Sequence, residues 1–158
     1  MECGVPVSYR THLWPIVTLA VLAAVLPIAP CLAAERLVLV TAAKASVRSV
    51  PLSEVRRSFL GAVHAVEAES SIPIRNVTNA QAHALFVDRV LAVSVSEYER
   101  RLTARTFQSG LPPIAIARDG KELERMLSEI PNAVTYVFES ELAKSPGLRL
   151  VQALATTP

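Results

Sequence analysis

From Leu37 to Val151 the chain alternates short apolar or β-branched runs with segments that open on helix-capping residues. Leu37-Val38-Leu39-Val40-Thr41 is continuous and apolar, the pattern of a strand buried on both faces. The stretch 42–51 is polar and reads as a loop. Leu52 to Gly61 then has helix signals: Ser53 as a cap, Val55 and Phe59 four apart on one face, and Gly61 as a stop. Ala62 to Ser71 shows no period and is expected to be a loop. Ile72 to Val77 alternates weakly and predicts a second strand, with Pro73 confining it to a strand start or an edge.

Three capping-box patterns follow. Thr78-Asn79-Ala80-Gln81 predicts a helix to about Ala92, with Thr78 and Gln81 satisfying each other's backbone donors. Ser94-Val95-Ser96-Glu97 predicts a helix to about Phe107, with Tyr98 and Leu102 inward and Arg100, Arg101 and Arg105 solvated. Asp119-Gly120-Lys121-Glu122 predicts a third, on which Leu123, Met126, Leu127 and Ile130 follow the i, i+3, i+4, i+7 pattern. Ile114 to Ile116 is expected to be extended after Pro112-Pro113. Ala133 to Phe138 and Leu148 to Val151 complete the strands. Strands separated by helices predict an α/β fold with a central, mostly parallel sheet. Ligands of such sheets meet the carboxyl ends of strands and the N-termini of helices.

The first 34 residues stand outside this pattern. Leu13 to Ala34 carries no charge, its strongest apolar part, Ile16 to Leu26, is short, and Pro27 and Pro30 interrupt it. Spanning a bilayer takes about 20 apolar residues. The layout predicts a secretory signal peptide over 1–34, cleaved after Ala34 or Ala33, and a periplasmic product; an uncleaved anchor is the alternative. Both cysteines, Cys3 and Cys31, leave with it. The domain at 35–158 then has neither a disulfide nor a thiolate metal site.

Of 158 residues, 51% are hydrophobic and 19% charged, which suits one domain with one core. Sixteen Lys and Arg against 14 Asp and Glu leave too little excess for an electrostatic nucleic-acid binder. His-Glu-x-x-His, Gly-x-Ser-x-Gly and phosphate-loop patterns are absent from the sequence. The reading is therefore not an enzyme, with no catalytic residue, no metal ligand and no cofactor.

The segments PLSEVRRSFLG, IPIRNVTNAQAHALFVDRVL, SVSEYERRLTARTFQSGLPP and KELERMLSEIPNAVTYV, after the strand LVLV, resemble in order and spacing the small phosphate-binding-protein-like members of the periplasmic solute-binding family, the substrate-binding type of phosphate ABC transporters. The resemblance covers about residues 37–152. It implies a single lobe of the type II periplasmic-binding-protein class. It also implies binding of phosphate or a similar small anion, for transport or sensing with an envelope transporter or sensor as partner. Where the family carries Gly-Ser followed one turn later by Arg, this chain has Asn79-Ala80 and His83; where it carries Gly-Tyr, this chain has Thr135-Tyr136. A lobe that has lost its ligand and serves as an accessory interaction protein of the envelope is the alternative.

The candidate ligand-binding residues are Thr41, Arg75, Thr78, Asn79, His83 and Tyr136. Thr41, like Ser46, follows the first strand. Arg75 ends the second, where a guanidinium complements a carboxylate or phosphate or forms a surface ion pair. Thr78 and Asn79 present helix amides to an anion or simply cap them. His83 faces the same turn or lies on a partly exposed helix surface. Tyr136 stacks on a ligand or packs in the core.

Overall fold

The computed structural model describes residues 34–61, 71–110 and 112–157. The predicted signal peptide, apart from Ala34, and the predicted loop at 62–70 lie outside the described residues. Five strands form one sheet: β1 (Arg36–Ala42), β2 (Ile72–Asn76), β3 (Ala115–Ala117), β4 (Ala133–Phe138) and β5 (Leu148–Thr156), in the order β3-β2-β4-β1-β5. The helices are α1 (Leu52–Phe59), α2 (Ala80–Leu85) with a π turn continuing it over Phe86–Val90, α3 (Val95–Ser109), α4 (Gly120–Glu129) and the one-turn α5 (Glu139–Leu142).

The sheet is mixed, which corrects the mostly parallel expectation. β2 pairs parallel with β3 and β4, but β1 pairs antiparallel with both β4 and β5. β1 is thus first among the described strands, interior in the sheet between β4 and β5, and reversed. Its uninterrupted apolar run fits that place, because both of its faces are covered. Leu37 and Leu39 pack with Val55, Phe59, Phe86 and Tyr136 on one side. Val38 and Val40 pack with Ile74, Leu123, Leu127 and Val137 on the other. Full burial of one such aliphatic side chain contributes about 1.5–3 kcal/mol. The first face is roofed by α1, α2 with its π turn, and α3; the second by α4 and α5 alone.

Local chemistry explains most boundaries and corrects two. Pro51 precedes α1, and no side chain caps that helix, so Ser53 lies within its first turn instead of capping it. Gly61 has φ +83°, as a helix stop requires. The cap of α2 is Asn79 and not Thr78: Asn79 Oδ1 accepts from the amides of Gln81 and Ala82 at 3.0 and 3.2 Å. Ser94 and Asp119 cap α3 and α4 as expected, accepting from the amides of Glu97 and Glu122. Pro73 sits at the start of β2, ahead of Ile74, where the β3 pairing begins.

The π turn was not expected. The Leu91 amide donates to Phe86 O at 3.1 Å, five residues back. The widened turn brings Phe86, Val87 and Val90 all inward. β5 runs five residues beyond the expected end. Two register shifts against β1 leave Val151 and Leu154 as extra residues. These bulges let a sequence without two-residue alternation bury both side chains against the first core.

Candidate functional site

The carboxyl end of β2 delivers Arg75 and Asn76 next to the start of α2. Asn76 Nδ2 donates to the Tyr136 carbonyl at 2.9 Å, tying β2 to β4. Its Oδ1 accepts from the Thr78 amide at 3.0 Å and shapes the turn into the helix. Asn79, once its Oδ1 has capped the helix, donates from Nδ2 to Glu141 of α5 at 2.7 Å. The amide-rich start of α2 is therefore closed by the chain's own side chains.

Arg75 points to the α3 side of the sheet. Its two terminal nitrogens donate to the two carboxylate oxygens of Glu99 at 2.5 and 3.1 Å. The guanidinium carbon lies 5.6 Å from the centre of the Tyr98 ring, a cation–π placement. Arg75 is 12% exposed and Glu99 45%. A fork-to-fork pair of this kind is the strong form of the ion pair, because both charge and geometry are matched.

His83, one turn into α2, stands on the same side. Its Nδ1 is 2.7 Å from the Tyr136 hydroxyl, and its ring is stacked on that of Tyr136 with centres 6.2 Å apart. Tyr136 in turn stacks on Phe86 at 3.8 Å. Burial lowers the His83 pKa from its ordinary 6.5; the nearby Arg75 charge adds to this and Glu99 opposes it. Burial raises both phenols, Tyr98 and Tyr136. The Tyr136 phenol stays protonated and the imidazole neutral, so the two share one hydrogen bond whose donor is set by the tautomer of His83. The Tyr98 hydroxyl is buried with no hydrogen-bond partner.

Five of the six predicted residues thus gather at one end of the sheet. Arg75, His83 and Tyr136 form one network; Thr78 and Asn79 form the adjoining turn. Thr41 does not join them. Because β1 is reversed, Thr41 lies level with Val134 at the opposite end, where its buried hydroxyl donates to Ala133 O at 2.7 Å. Ser46 is at that end too, bonded to Asn132. Sequence reasoning missed Glu99, Tyr98 and Glu141. Glu99 and Tyr98 are 24 and 23 positions from Arg75, and only the packing of α3 brings them together.

Two clefts adjoin this end. One, of about 210 Å³, is lined by Thr78, Gly120, Glu124, Glu141 and Lys144. The other, of about 130 Å³, lies between α3 and β3. Among the described residues no cluster of His, Cys, Asp and Glu could hold a metal ion, and no helix is long and apolar enough to cross a membrane. No protein-family model matches the chain, and no curated protein does either.

Proposed function

We propose that the chain is an exported single lobe of the type II solute-binding class, acting in the cell envelope by contact with a partner protein rather than by catalysis. The open α/β sheet, with α2 and α4 starting just past the carboxyl ends of β2 and β3, supports the lobe reading. One observation carries the choice of partner over free ligand. The two groups best suited to an anion are engaged within the chain: Arg75 by the Glu99 carboxylate, and the α2 amides by Asn79. An incoming phosphate would have to displace a carboxylate that is already bound bidentately.

Capture of a small anion is the second reading. It is favoured by the cleft at the strand ends, where Thr78 and Lys144 face the first turn of α4. Glu124 and Glu141 line the same cleft and oppose a negative guest.

Two measurements separate these readings. Calorimetry with phosphate, sulfate and small carboxylates at millimolar concentration gives no heat if the lobe works by contact, and saturable heat if it captures anions. Crosslinking in intact cells recovers one specific envelope protein in the first case. Recovery of none, beside clear anion binding, overturns the proposal.

A further inference from the structure

Between α3 and the edge strand β3 lies a cleft of about 130 Å³ with apolar walls from Leu102, Pro113, Ile114 and Ile116. Two guanidinium groups line it, Arg75 and Arg105, against the single carboxylate of Glu99. Glu99 is spent on the terminal nitrogens of Arg75. The side chain of Arg105 makes no hydrogen bond or ion pair among the described residues, and its Nε is buried without an acceptor, as is the Nε of Arg75. Its neighbours on α3 behave differently: Arg100 and Arg101 both hold Glu97. The side chain of Arg105 is held in place from below, since it lies across Gly61 so closely that a Cβ there would sit 2.4 Å from Arg105 Cδ. Thr103 and Thr106, also in the lining, turn their hydroxyls to carbonyls of their own helix and leave the guanidinium uncontested.

We infer that this cleft is the docking site for an acidic peptide segment of the partner, with one carboxylate on Arg105 and an adjacent apolar side chain against Leu102 and Ile114. The inference rests on the contact reading of the lobe and names the chemistry of its partner. Charge decides the class of guest. The cleft holds one excess positive charge, which a single carboxylate neutralises and a phosphate dianion overshoots. The terminal nitrogens of Arg105 have no acceptor among the described residues, and a carboxylate that meets them forms a charge-assisted hydrogen bond, worth more than a neutral one. The apolar walls suit a peptide, whose side chains they would cover; a mineral ion has none.

The test uses the purified chain with three probes: the blocked peptide acetyl-Leu-Phe-Glu-Leu-amide, its Gln counterpart, and inorganic phosphate, each followed by amide chemical shifts and calorimetry. The Glu peptide is expected to shift amides of α3 and β3 and to bind at least tenfold more tightly than the Gln peptide. R105Q should lower its affinity about tenfold, R105K less, and I114S several-fold, while thermal melting confirms that each variant is folded. Phosphate at equal concentration should not displace it. Equal binding of both peptides, no binding, shifts elsewhere, unchanged affinity in folded R105Q, or displacement by phosphate each overturns the inference. If R105Q still crosslinks to the same envelope protein, the contact reading stands and this site falls; if the parent chain crosslinks to none, the contact reading falls with it.

Discussion

Arg75 and Glu99 meet through two parallel hydrogen bonds, one residue from a strand end and the other from the second turn of α3, and this pair anchors α3 to the sheet. Glu99→Gln should leave the mostly buried guanidinium underpaired. We expect a loss of about 1–2 kcal/mol, below the figure for a fully buried pair because Glu99 is half exposed. Urea unfolding measures it. In a double-mutant cycle with Arg75→Met, the two losses should be clearly less than additive. Additive losses would mean that the pair does not couple.

His83 makes stability depend on pH. Its folded pKa lies below 6.5, so the unfolded chain binds the extra proton first. Stability is then full above about pH 6.5 and falls as pH drops below it, with a slope of at most about 1.4 kcal/mol per pH unit. Denaturation midpoints between pH 8 and 5 check this. His83→Gln should flatten the curve over that window; an unchanged slope would assign it to another group.

Gly61 carries two constraints at once, a left-handed backbone and a guanidinium laid across it. Gly61→Ala should cost about 1 kcal/mol from the backbone alone and more from the displaced Arg105. In an Arg105→Ala background the same substitution should cost less. Thermal melts of the four chains give the comparison, and equal costs in both backgrounds would remove Arg105 from the account.

Asn79 both caps α2 and holds Glu141. Asn79→Ala should cost about 1 kcal/mol, the usual loss for a cap. Asn79→Asp keeps the cap but sets a second carboxylate beside Glu141, so its stability relative to the parent chain should improve with added salt. Salt-independent stability of that variant would show that the two side chains are apart.

The elements written in local chemistry were legible in the sequence. Ser94 and Asp119 cap where their spacing requires, and the β1 run is buried on both faces. Arg75, Thr78 and Asn79 were singled out as a strand end and a helix start, whereas His83 and Tyr136 came from the family resemblance and not from local pattern. What was hidden is non-local. Nothing in Leu37–Thr41 states that its neighbours will be β4 and β5 in reverse, and that reversal is what carries Thr41 away from the site. The bulges at Val151 and Leu154 conceal alternation in β5, so the sequence pattern stops at Val151 while the strand continues. The choice of Asn79 over Thr78 as cap depends on Asn76 first taking the Thr78 amide.

The position of β1 also sets an order of assembly. Its partners lie roughly a hundred residues downstream, and closing so long a loop is slow compared with making local helices. Until the final strands emerge from the ribosome, the most apolar segment of the domain has no place to go. The chain should therefore stay pliable throughout synthesis and settle only once its last stretch is free, a habit suited to any protein that must be threaded somewhere before it folds.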